Sequence, residues 1–167
     1  MSSANVFDPA FGDRSERAGF AGRRARIGRQ AGAEHLGGSL YELAPGSAPF
    51  PMHYHLGNEE LLVVIAGEPS LRTPAGERRL AEGEVVAFPA GEGGAHQVVN
   101  RGEDPVRVLL VSEMNAPDVV VRPESNKISA FGRAPGAAGE GFHDAYFRRD
   151  AVALWEGEAQ PPPPPAR

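Results

Sequence analysis

From Gly38 onward, short apolar runs return at regular intervals, at 39–43, 60–66, 70–73, 84–88, 97–100 and 106–112. Turn formers separate them: Pro45-Gly46, Gly67-Glu68-Pro69, Pro74-Ala75-Gly76, Glu82-Gly83 and the five residues 101–105. Many short strands at this spacing predict an all-β sandwich or barrel. No window between 38 and 115 carries the 3.6-residue apolar repeat of a helix. The runs at 61–66 and 106–111 are apolar on both faces, so they need cover from both sides, by a second sheet or by a second subunit. Residues 1–20 read as a flexible polar arm containing Phe7 and Phe11, and residues 21–115 as the barrel. The β rhythm fades over 116–160, a C-terminal extension expected to pack on the barrel. Within it, 142–155 reads as a short amphipathic helix or irregular cover pinned by Phe142, Tyr146, Phe147, Val152 and Trp155. The prolines at 161–165 predict an extended polyproline tail over 161–167.

Onto this β framework the histidines fall unevenly. Of the five in the chain, His53 and His55 stand two apart, and His96 lies in a later run. Residues i and i+2 of a strand project from one face with Cα atoms roughly 6–7 Å apart, so two such imidazoles can converge on one cation. A glutamate four or five residues on, Glu59 or Glu60, and His96 would complete a mixed nitrogen and oxygen site of the kind that suits Fe, Mn, Zn or Ni. A His-x-His pair alone is also what a solvated strand looks like; the added carboxylate and third histidine distinguish the two. His35 and His143 lie apart from this set and read as surface or packing residues.

Charge and composition narrow the function classes. Seventeen Lys and Arg against 22 Asp and Glu leave a net charge of −5, which gives no basic face for nucleic acid. The absence of cysteine excludes disulfides, thiolate ligands and a cysteine nucleophile. The N-terminal segment lacks an apolar run, so neither a signal peptide nor a membrane span is expected, and a cytoplasmic protein is the default. No nucleophile elbow and no phosphate-binding glycine loop appear.

The stretch Gly46-SAPFPM-His53-Tyr-His55-LGNE-Glu60-LLVVIA-Gly67 resembles the first motif of the cupins, and Gly83-EVVAF-Pro89-Ala-Gly91-EGGA-His96-QVV-Asn100 resembles the second. There are two departures. Six residues, not five, precede His53, and four, not two, separate Gly91 from His96; that longer turn contains Gly93-Gly94 and is expected to loop out. Only Glu60 leaves the motif's six residues before Gly67, so the resemblance selects Glu60 over Glu59. It implies a cupin double-stranded β-helix, a jelly-roll-like barrel. It also implies one divalent metal ion (Fe, Mn, Zn or Ni) held by His53, His55, Glu60 and His96, and a homodimer. The function it implies is a metal-dependent enzyme (a dioxygenase, isomerase or lyase) acting on a small polar or anionic substrate. The alternative is a non-catalytic small-molecule binding or sensing protein. Catalytic residues beyond the ligands are not identified by it. Pro89, Gly91, Gly83 and Asn100 read as turn formers and a turn cap.

Overall fold

The computed structural model of the protein describes residues 1–134 and 141–159; the proline tail at 161–167 lies outside them. Through the described residues run β1 (Asp13–Ser15), β2 (Gly22–Ala25), a single-turn helix α1 (Ile27–Gln30), β3 (Gly37–Leu43) and β4 (Tyr54–His55). Then come β5 (Glu60–Ala66), β6 (Ser70–Thr73), β7 (Gly76–Arg79), β8 (Val85–Phe88) and β9 (Gln97–Val99). The last four are β10 (Val106–Ser112), β11 (Asp118–Arg122), β12 (Lys127–Phe131) and β13 (His143–Phe147). The apolar runs read from the sequence appear as β3, β5, β6, β8, β9 and β10.

One wall of the fold is a six-stranded antiparallel sheet in the order β1-β2-β3-β10-β5-β8. The other is built from β7-β6-β9 and β13-β12-β11-β4. An antiparallel bridge between His53 and His96 joins these two sheets into one wall: His53 N–H donates to His96 C=O at 3.1 Å and His96 N–H to His53 C=O at 2.9 Å. The core lies between the walls. Leu43, Leu62, Val64, Phe88, Val106, Val108 and Leu110 enter from one side, and Leu71 and Val98 from the other. This is the all-β architecture expected from the strand pattern, in the double-stranded β-helix form that the resemblance implied.

Two tight turns depend on glycine. Gly67, at φ +81°, lets β5 end against Val106, whose Cγ1 would stand 2.8 Å from any added Cβ. Gly91 at φ +90° turns the chain toward the site and donates its N–H to His55 C=O at 2.7 Å. Asn100 is fully buried and caps its turn, donating to the Leu43 and Asp104 carbonyls and accepting from Gly102 N–H.

The ends differ from the sequence reading in three respects. Within 1–20, expected as a flexible arm, β1 is a paired edge strand, and Asp13 accepts from Arg24. The segment expected as helix or irregular cover instead contains β13, paired along its length with β12. The Ala-Tyr-Phe stretch has high β propensity, and an open edge was available to receive it. Trp155, expected to pin that segment, is instead 79% exposed among the described residues. Among the described residues no helix is long and apolar enough to cross a membrane.

Leu62 is fully buried in the centre of β5. Leu62→Ala is therefore expected to lower unfolding stability by about 2–5 kcal/mol without changing the β circular-dichroism signature. Chemical denaturation of the two proteins checks this.

Candidate metal centre

Four side chains named from the sequence meet at one end between the walls. His53 precedes β4, His55 ends it, His96 precedes β9, and Glu60 opens β5 on the facing sheet. Strand alternation turns Glu60 inward and leaves Glu59 exposed. The Glu60 Oε2 atom stands 3.9 Å from His53 Nε2, 3.6 Å from His55 Nε2 and 3.6 Å from His96 Nε2. The ligand atoms of His53, Glu60 and His96 all lie within 4.8 Å of one another; His55 is outside that mutually close group and joins it through Glu60.

The other ring nitrogens explain the aim. His53 Nδ1 donates to Pro51 C=O and His96 Nδ1 to Gly94 C=O, each at 2.9 Å, and His55 Nδ1 donates to Asp118 Oδ2 at 2.5 Å. With a proton on every Nδ1, each neutral ring presents a bare lone pair at Nε2. Three acceptors thus face a carboxylate oxygen, which is a fourth. Glu60 Oε2 and His96 Nε2 are buried and have no hydrogen-bond partner. A cation resolves that arrangement: ligands about 2.1 Å from one ion stand about 3.0 Å apart when cis and about 4.2 Å when trans. The donor set therefore fits a divalent ion of the N/O-preferring class.

Burial sets the charges. It is the main reason His53 is pushed down to about 3, helped by the neighbouring His96 and His55. Burial likewise takes His96 down to about 4, the Gly94 carbonyl offsetting only part. For His55 burial opposes the proton, but the Asp118 hydrogen bond and the charges of Glu60 and Asp118 outweigh it, so its pKa is raised. Burial also raises Glu60. Phe88, the cross-strand partner of Glu60, stacks on His96 with ring centres 3.6 Å apart and planes 5° from parallel, sealing the core side.

Two contributors were not found from the sequence. Asp118 accepts from both the His55 ring and Gly57 N–H, at 2.9 Å for the latter, fixing the imidazole tautomer and the loop that carries it. Arg122 lies four residues further along β11, partly buried, and its charge opposes protonation of both His53 and His55. The Gly91-to-His96 turn also differs from the reading: it does not loop out. Residues Glu92–Gly94 form a 3₁₀ turn, Gly94 is buried, and its carbonyl is the His96 partner.

The metal-free protein should be acid-sensitive. Between about pH 6.5 and 4 the unfolded chain binds protons at positions 53 and 96 that the folded chain refuses, so folding stability falls as pH drops through that window. His55 and Glu60 work in the opposite direction, their contributions being present at low pH and lost as pH rises through their raised values. The depressions at His53 and His96 are the large shifts and outweigh them. Urea midpoints of the apoprotein from pH 7 to 4.5 should decline, and His53→Gln should flatten the decline; an unchanged slope in that variant would refute the assignment.

Residues 39–112 match the family model of the cupin domain. No curated protein matches the sequence. Among solved structures, a sugar phosphate isomerase of the cupin superfamily from Silicibacter pomeroyi superposes with a TM-score of 0.74 at 21% identity. The match covers 92% of this chain and 98% of that one. A protein assigned as a sugar phosphate isomerase from Acidithiobacillus ferrooxidans gives 0.71 at 24% identity, covering 86% and 87%. The polyketide cyclase of Streptomyces resistomycificus gives 0.57 at 19%, covering 83% and 87%. At these identities the likeness is one of fold. With both motifs in order and the family match running across the strands that carry them, residues 39–112 form a cupin domain.

Proposed function

We propose that the protein binds one divalent metal ion (Fe, Mn, Zn or Ni) through His53, His55, Glu60 and His96. In this reading it is a metal-dependent enzyme, a dioxygenase, isomerase or lyase, acting on a small polar or anionic substrate. The observation that carries the reading is the buried cluster of acceptors: three imidazole Nε2 atoms aimed at one carboxylate oxygen that has no donor. When bound, such an ion supplies Lewis acidity toward substrate oxygens, or O₂ reactivity if it is redox-active. The chain's own groups do the rest. Three neutral imidazoles and one carboxylate leave about +1 on a divalent ion, which favours anionic ligands. Asp118 holds the Nδ1 proton of His55 so that Nε2 stays a donor of electrons, and Phe88 keeps water out from the core side.

Protein purified without added metal should carry about one divalent ion per chain by elemental analysis. His96→Ala should reduce metal affinity at least tenfold, a loss of about 1.4 kcal/mol, and keep the β fold. No binding by the wild type at micromolar metal, or equal binding by the variant, would overturn the reading. Between pH 7 and 5 His53 and His96 are already neutral, so proton competition falls on His55 and Glu60, and affinity should weaken as pH drops. A survey of small molecules retained by the loaded protein then tests the substrate class.

We also infer a homodimer. On the outer face of the six-stranded sheet, Ala25, Leu40, Leu109, Val63 and Val85 lie side by side in register, with Val111, Leu61 and Ala87 in the next row. Helix α1 packs on β3, its Gly28 close against Gly38, and Ala25 and Leu40 are fully buried. At the other end Leu61 remains 37% and Val85 54% exposed. A second copy applied through a two-fold axis would cover that end. Light scattering should give twice the 17.7 kDa chain mass, and Val85→Glu should reduce it to one chain; a wild-type mass of one chain would overturn the dimer.

A further inference from the structure

Strand β11 pairs with β4 through Val121↔Tyr54 and Val120↔His55. Continuing that register by one residue puts Arg122 opposite His53, on the face that carries His55 and Val120. On its other side Arg122 pairs directly with Lys127 of β12. Two cations thus sit opposite each other across a strand pair, with Cβ atoms roughly 5 Å apart, an arrangement that is destabilising by itself.

No carboxylate relieves it. The Arg122 guanidinium donates one Nη1 bond, to Ser129 Oγ at 2.6 Å, and a guanidinium has five N–H donors. Among the described residues neither Arg122 nor Lys127 has a carboxylate oxygen within 4.0 Å, although ion pairs are frequent elsewhere in the chain. The acidic groups nearby are committed. Glu124, two residues on, is taken by Arg72 at 2.8 Å, Asp118 by His55 and Gly57, and Glu60 faces the three imidazoles. Lys127 is steadied by the Phe147 ring, its Nζ 5.1 Å from the ring centre. A half-buried guanidinium with free donors beside a cation-ligand cluster is a place for an anion.

We propose that Arg122, with Lys127 beside it, forms an oxyanion subsite at the mouth of the metal centre, and that it takes the carboxylate or phosphate group of the substrate. This rests on the metal-dependent reading above and names the charge its substrate carries. Arg122 supplies a fork of N–H donors to two oxygens, and Lys127 adds a point charge. The substrate would then bridge from the fork to the metal end, oriented by both.

The experiment separates the two readings. Titration calorimetry at low ionic strength measures inorganic phosphate, malonate and uncharged glycerol against metal-free and Mn-loaded protein, with Mn affinity measured independently. Phosphate or malonate should bind and glycerol should not; which anion binds more tightly identifies the group. Arg122→Gln should weaken that anion about tenfold or more, Arg122→Lys less, and Lys127→Gln by a few-fold, while circular dichroism stays unchanged and the separately measured Mn affinity shows that the metal end is still intact. Anion binding that is absent in both forms, or equal in wild type and Arg122→Gln, overturns the subsite even if the metal binds. Failure of Mn to bind, with anion binding still lost in Arg122→Gln, overturns the metal reading and leaves the subsite standing.

Discussion

Lone pairs do not attract one another, and the ligand end of this fold aims those of three imidazoles at one carboxylate oxygen. Each imidazole has given its Nδ1 proton to an oxygen of its own, on Pro51, Gly94 or Asp118, so none has a proton left to offer Glu60. A buried acceptor without a donor costs folding free energy, on the order of 1–3 kcal/mol for one group. The fold tolerates this because the histidines have no freedom to turn away. His53 and His96 exchange both backbone hydrogen bonds, and that exchange is the seam uniting the two sheets of one wall. Rotating the His96 ring outward would expose the stacked face of Phe88, and moving either backbone would open the seam. The apolar core beneath, from Leu62 to Leu110, supplies the stability that this polar cluster subtracts.

What the sequence made legible follows the range over which each signal acts. Alternation and turn residues are local, so β3, β5, β6, β8, β9 and β10 could be read off with shifts of a residue or two; the choice of Glu60 over Glu59 came from the motif spacing to Gly67. The pairing of His53 with His96 was implicit in the order of the motifs, but not the fact that their backbones bridge. Strands β11 to β13 escaped because nothing local marks them; Val119 to Val121 is an apolar run that strands and helices share, and its partner, Tyr54-His55, lies far away in the chain. Asp118 and Arg122 were invisible for the same reason. Their roles come from a register between segments more than 60 residues apart, which periodicity alone does not reveal. The Gly93-Gly94 turn was misread because a glycine pair suggests a loop free of duties, whereas Gly94 can be buried against Pro89 because it has no side chain.

The chain therefore builds its site from two sources with different physical tasks. The segment 46–100 provides electron pairs: three rings and one carboxylate on strands braced by the core. Strand β11 provides the groups that set their charge, Asp118 holding a proton on His55 and Arg122 discouraging protonation of His53 and His55. An anionic and a cationic residue four apart on one strand face, Asp118 and Arg122, create a gradient across the mouth. Its negative end already accepts hydrogen bonds from His55 and Gly57, so the end without a carboxylate partner is the guanidinium. In the proposed subsite a ligand meets positive charge at Arg122 and Lys127 as well as the ring nitrogens, so the field selects for an anion while coordination selects for its shape. Because Asp118 of β11 holds the His55 ring, changes of ligand preference that spare the metal-holding residues are confined to positions such as Lys127, on the neighbouring strand.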